Sequence, residues 1–137
     1  MHSKTPLSPD MSNIRVLLVD DVPSVTQGLR MCLALEPDME VVGEAYDGHR
    51  ALALTAETHP DVVVMDLDMP GMDGAAVTAA LASEGEQCAV VMLSMHDDRV
   101  SRARSLQAGA VAFVEKSAGV AKLLEAIRSA AARPCSV

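Results

Sequence analysis

The sequence predicts an α/β domain: a doubly wound, five-stranded parallel sheet with helices on both faces. Three observations carry that prediction. Five short apolar runs alternate with five stretches of helical spacing. The runs lack polar alternation, as in Val62-Val63-Val64-Met65, which suits strands buried on both faces. Acidic, hydroxyl and basic residues recur just past the carboxyl ends of four of these runs, the end where open parallel sheets bind ligands.

The strands are predicted over 14–19, 41–46, 62–66, 89–93 and 111–114. Between the first two, Val25, Leu29, Cys32 and Leu33 repeat at i, i+4, i+7 and i+8, the stripe of a half-buried helix. Pro23 stands near its start, where a missing amide costs nothing. A helix over about 97–108 follows the fourth strand, and Gly109-Ala110 breaks the chain before the fifth. In the last helix, over about 120–131, Val120, Leu123, Leu124 and Ile127 form the apolar stripe, with Lys122, Glu125 and Arg128 opposite. Alternating strands and helices require right-handed crossovers, hence the doubly wound sheet.

At 137 residues the chain fits one domain, expected over 14–131, with a disordered lead-in at 1–13 and a tail or linker start at 132–137. Tyr46 and Phe113 are the only aromatics, so the core must be aliphatic, with methionines as filler. A net charge of −8 argues against nucleic-acid binding by this chain, because phosphate contacts need a basic face. It fits a cation site and a basic or amphipathic protein partner. Cys32, Cys88 and Cys135 have no metal-ligand spacing. Cys32 and Cys88 read as small core residues in a reducing compartment, Cys135 as an exposed tail thiol. No apolar run reaches the roughly 18 residues of a membrane span. Residues 1–13 have one lysine, two prolines and no apolar centre, unlike a secretory signal. A cytoplasmic location without membrane contact is expected.

The polar residues at the rim suit phosphoryl transfer. Asp20 and Asp21 close the first strand and Asp66 the third; Ser94 follows the fourth, and Lys116 lies just past the fifth. A carboxylate can attack phosphorus to give an acyl phosphate. The transferred group carries its charge on three oxygens, so catalysis is mostly positioning and neutralisation. Magnesium takes octahedral oxygen ligands. Asp21, Asp66 and the Asp68 carbonyl are candidates to bind it directly, with Asp20 holding a metal-bound water. Lys116 and Ser94 would each take a phosphoryl oxygen. Singly, an Asp, Ser or Lys after a strand is ordinarily a cap or solvated surface. Coincidence at one rim, from separate units, is what favours a site. Asp73 reads as the N-cap of the following helix, and His96, two residues after Ser94, as surface.

Together these residues resemble the receiver domain of two-component response regulators, over about 14–131. The matching pieces are Leu18-Val19-Asp20-Asp21, the run from Met65 to Gly74 (MDLDMPGMDG), Leu93-Ser94-Met95-His96-Asp97-Asp98, and Gly109-Ala110 leading to Phe113-Val114-Glu115-Lys116-Ser117-Ala118. The wording is similar to the NarL/FixJ-type subfamily. The resemblance implies a flavodoxin-like (β/α)5 fold with strand order 2-1-3-4-5. It implies a signalling domain rather than an enzyme, apart from self-catalysed phosphorylation and dephosphorylation. Asp66 would accept the phosphoryl group from a sensor histidine kinase with Mg²⁺, Asp20 and Asp21 would be the acidic metal pair, Ser94 the switch hydroxyl and Lys116 the site lysine. Phe113 falls at the switch-aromatic position, where the family often has Tyr. Phosphorylation would move Ser94 toward the new oxygens, let Phe113 fill the space, and remodel the face formed by the fifth strand and the helices at 97–108 and 120–131. A homodimer formed on phosphorylation is a second expected partner.

Two other functions compete. Asp66-Leu67-Asp68 resembles the D-x-D pair of haloacid dehalogenase-type phosphatases, but that family places its acidic metal pair after the lysine, whereas Asp20-Asp21 come first here. A nucleotide-binding module of similar topology would want a glycine-rich first turn, and Asp20-Asp21-Val22-Pro23 is not one. The expected output is transcription, through a helix-turn-helix domain not in this chain. The alternative is a stand-alone receiver acting by phosphorylation-dependent protein contacts.

Overall fold

Strand residues of alternating parity feed two separate cores in the computed structural model, which describes residues 13–133. The element order is β1 (Ile14–Val19), α1 (Pro23–Ala34), β2 (Met39–Ala45), α2 (Gly48–Thr58), β3 (Val62–Asp66), α3 (Gly74–Ser83), β4 (Ala89–Ser94), α4 (Arg99–Ala108), β5 (Ala112–Glu115) and α5 (Val120–Ala131). A single 3-10 turn, Lys116–Ala118, separates β5 from α5. The five strands form one sheet in the order β2-β1-β3-β4-β5, and the paired strands are parallel throughout. The predicted fold class and strand order hold.

The absence of polar alternation has a direct structural cause. Leu17, Val19, Val63, Met65, Val90 and Met92 pack on one face with Ala51 and Leu54 of α2 and Val77 and Leu81 of α3. Val16, Leu18, Val62, Val64, Val91 and Leu93 pack on the other with Leu33 of α1 and Leu123, Ile127 and Ala130 of α5. All five residues of β3 are buried, so the strand carrying Asp66 lies at the centre of both cores. Four methionines, Met39, Met65, Met69 and Met92, are buried as filler, while Met31 and Met95 are exposed.

Several boundaries differ from expectation. β2 starts at Met39 and stops at Ala45, which leaves Tyr46 exposed. Its pairing with β1 slips between Val16 and Leu17, which face Val41 and Gly43 in turn. β4 extends to Ser94, and β5 begins at Ala112 and includes Glu115. Val120 does not join the buried stripe of α5, which is Leu123, Ile127 and Ala130: it is 39% exposed at the first turn of the helix. Cys32 and Cys88 are half-buried at the margins of the two cores rather than within them. Cys135, residues 1–12 and residues 134–137 lie outside the described residues.

Helix ends follow local chemistry. Pro23 occupies the start of α1. Asp47, Asp73 and Asp98 cap α2, α3 and α4 by accepting the amides of Arg50, Ala76 and Ser101. The expectation for Asp73 is met. α4 is the least anchored helix: Ser105 is its buried residue, and Val100 and Leu106 point to solvent.

The two-core packing separates Ile127 from Val120, although both lie on the sequence stripe. Ile127→Ala is expected to lower unfolding free energy by about 2–5 kcal/mol in urea titrations, and Val120→Ala by less than about 1 kcal/mol.

Candidate functional site

The carboxyl ends of β1, β3, β4 and β5 bring Asp20, Asp21, Asp66, Ser94 and Lys116 to one rim of the sheet. Strand order does this: β1 and β3 are neighbours, so residues far apart in the chain meet at the point where the winding reverses. Asp20 and Asp66 are 1% and 2% exposed, and Ser94 is fully buried. One oxygen from each of Asp20, Asp21 and Asp66 lies within 4.8 Å of the others. An all-oxygen set of this spacing fits a hard divalent cation.

Lys116 holds the pair together. Its Nζ donates to Asp20 Oδ2 at 3.0 Å and sits 3.3 Å from Asp66 Oδ1. Backbone amides add to this: Asp20 Oδ1 accepts the Val22 amide at 2.9 Å and Asp66 Oδ1 accepts the Asp68 amide at 3.0 Å. Burial pushes the Asp66 pKa up from an ordinary 3.8 to about 6; the Asp68 amide opposes this, the Asp20 charge adds to it, and Lys116 opposes it. Burial alone would lower the Lys116 pKa, but its hydrogen bond to Asp20 and the Asp66 charge raise it. Asp66 is therefore mostly ionised at neutral pH, yet poorly compensated.

Asp68 does more than offer a backbone carbonyl. Its Oδ2 accepts the Ser94 hydroxyl at 3.2 Å and the Met95 amide at 3.1 Å. Ser94 Oγ in turn accepts the His96 amide at 3.1 Å, while the His96 residue as a whole is exposed. The hydroxyl expected beside Asp66 is thus held by the loop that follows Asp66. The side-chain role of Asp68 was not legible from the sequence, because it depends on the register between β3 and β4. Phe113 is half-buried against the core, with the Arg102 guanidinium 4.8 Å over its ring.

Gly74 is a second residue that pattern reading missed. A Cβ there would stand 2.4 Å from the Asp66 carbonyl oxygen and 2.9 Å from Leu67 Cα. Its amide donates to Leu67 O, and Leu67 and Met69 turn into the core, pinning the loop behind Asp66. A glycine at the first position of a helix, where Ala would favour the helix, was the available signal. Asp73 also pairs with Arg104 of α4. Burial raises its pKa, but the Ala76 amide and Arg104 outweigh this and hold it below the ordinary value.

Comparison with known proteins points to one family of domains. A family model described as the response regulator receiver domain matches residues 16–128. The chain is 40% identical over 119 residues to the transcriptional regulatory protein LiaR of Bacillus subtilis, covering 85% of this chain and 56% of that protein. It is 38% identical over 125 residues to a protein-glutamate methylesterase/protein-glutamine glutaminase of Nocardioides, covering 88% of this chain and 34% of that one. The signal receiver domain of the putative response regulator NarL from Mycobacterium tuberculosis superposes with a TM-score of 0.84 at 37% identity, covering 89% of this chain and 99% of that domain. The chain spans about half the length of LiaR.

A raised carboxylate pKa costs stability above that pKa, and the cost vanishes as pH falls below the unfolded value. In the absence of divalent cations, Asp66→Asn should therefore stabilise the protein at pH 7.5 by about 1–3 kcal/mol. The gain should fade between pH 6 and pH 4 in urea titrations. Gly74→Ala, normally favourable in a helix, should instead cost about 1–3 kcal/mol by the same measurement, through overpacking against Asp66.

Proposed function

The chain belongs to the response regulator receiver domain family, of the NarL type, and from that premise we propose that Asp66 is the phosphoryl acceptor of a two-component pathway. The supporting observation is the convergence of Asp20, Asp21 and Asp66, with Lys116 in reach of two of them. An ionised Asp66 oxygen attacks phosphorus on the phosphohistidine of a sensor kinase. An O–P bond forms, the P–N bond breaks, and imidazole leaves. Lys116 exchanges a carboxylate partner for a phosphoryl oxygen. Asp20, Asp21, Asp66 and the Asp68 backbone carbonyl would hold Mg²⁺, which supplies charge neutralisation for the transferred group.

The phosphoryl group brings roughly −1.5 to −2 charge and three acceptor oxygens. Ser94 leaves Asp68 Oδ2 to donate to one of them. The loop from Ser94 to Asp98 then shifts, Phe113 moves toward the vacated space, and the weakly anchored α4 adjusts against β5 and α5. This is a population shift between two packings, biased by a local change of charge. Phosphorylation and dephosphorylation are self-catalysed by these residues; the domain is a signalling module and not an enzyme acting on other substrates.

Transcription is the proposed output, since LiaR and the NarL proteins among the relatives are transcriptional regulators. It would act through a helix-turn-helix domain outside this chain, with a homodimer formed on phosphorylation. The domain would work in the cytoplasm; among the described residues no helix is long and apolar enough to cross a membrane.

Acetyl phosphate with Mg²⁺ should add about 80 Da to the intact mass, the size of one phosphoryl group. No adduct should form when the metal is chelated before acetyl phosphate is added, or in Asp66→Asn. An unmodified wild-type protein, or an undiminished adduct on the variant, would refute the assignment.

A further inference from the structure

We propose that Arg102 is a positioning residue that latches Phe113 in the resting conformation, so that its guanidinium sets how much phosphorylation is needed to switch the domain. The proposal rests on the reading of Asp66 given above. Arg102 lies one turn into α4 and touches two parts of the switch at once. Its guanidinium carbon is 4.8 Å above the centre of the Phe113 ring, within cation–π range. Its Nη2 donates to Asp97 Oδ1 at 2.7 Å. Asp97 belongs to the loop that leaves Ser94, and Asp98, the next residue, caps α4 through the Ser101 amide.

A continuous chain of contacts therefore runs from the hydroxyl to the ring. Ser94 is bonded to Asp68 Oδ2 and to the His96 amide, Asp97 follows His96, Asp97 holds Arg102, and Arg102 covers Phe113. Phe113 has no hydroxyl, so it cannot be fixed in either conformation by a hydrogen bond of its own. Its face is the polar handle it has, and Arg102 occupies it. To leave this position the ring must abandon the cation. When Ser94 turns to the phosphoryl group, the loop carrying Asp97 moves, and the carboxylate that orients Arg102 moves with it. Loss of the latch and movement of the ring are one coupled event.

Linkage gives the sign. A contact made only in the resting state opposes every ligand that favours the switched state, so its removal strengthens that ligand by the same factor. A cation–π contact at a half-exposed site corresponds to about a two- to five-fold effect. Arg102 and Asp97 are both about half exposed, so replacing them leaves the two cores intact.

The sequence offers a direct probe. Phe113 is the only phenylalanine, so biosynthetic phenylalanine ¹³C-labelled at the ring ζ carbon gives a single ring ¹H–¹³C resonance that reports this ring. The full chain would be titrated with beryllofluoride, a phosphoryl mimic, in the presence of Mg²⁺. In the wild type the resonance should move between a resting and a saturated position. In Arg102→Gln the resting resonance should already lie toward the saturated position, and the midpoint should fall about two- to five-fold. Arg102→Lys, which keeps a cation, should lie between the two, and Asp97→Asn, which frees Arg102, should shift in the same direction as Arg102→Gln. A responsive wild type with unchanged resting resonance and midpoint in Arg102→Gln would overturn the latch alone. A wild type that takes up no beryllofluoride would overturn the reading of the site, and the latch with it.

Discussion

Two carboxylates nearly sealed from water, Asp20 and Asp66, share one ammonium group, that of Lys116. The rest of the rim follows from that shortage of positive charge. A buried carboxylate is tolerated when hydrogen bonds and a counter-ion offset its lost hydration. Asp20 has its share in Lys116 and the Val22 amide. Asp66 has the more distant side of the lysine and one amide, and its pKa remains raised. The site is thus under-neutralised in a place that cannot relax, because β3 is buried along its whole length. A divalent cation would relieve that condition. The energetic tension and the chemical competence have the same origin.

The two loops beside Asp66 convert this local state into a movable one. The Asp68 carboxylate holds both Ser94 and Met95, so the loop after β3 and the loop after β4 are tied together at rest. Behind Asp66 the chain is rigid: Leu67 and Met69 are buried, and Gly74 admits the close approach of α3 to the Asp66 carbonyl. Ahead of it the chain is lightly held, since α4 buries only Ser105 and is joined to its surroundings by ion pairs from Arg102 and Arg104. Exposed pairs of this kind contribute little to stability and exchange readily. With Asp66 as the proposed acceptor, rigidity behind it and looseness ahead of it would give the signal its direction.

Much of this was legible without coordinates. Buried parallel strands demand unbroken apolar runs, and Val62-Val63-Val64-Met65 is such a run, so β3 and the residue it delivers could be read directly. The N-cap at Asp73 and the start of α1 at Pro23 followed from local chemistry alone. The misreadings share a cause. The ends of β2 are set by its pairing with β1, the exposure of Val120 by how α5 docks on the sheet, and the depth of Cys32 and Cys88 by where the two cores end. None of these is a property of the local chain.

The sequence by itself determined the fold class, the strand order through family resemblance, and the identities of the residues at the rim. Periodicity and turn chemistry are local, and they survive in one dimension. Only the tertiary structure decided which atoms of those residues meet. That Lys116 leans on Asp20 more closely than on Asp66, that Ser94 rests on the Asp68 carboxylate, and that Arg102 lies across Phe113 are outcomes of parallel register and helix docking. Shifts of about an ångström would change each of these partners, and no spacing in the sequence encodes a distance of that size.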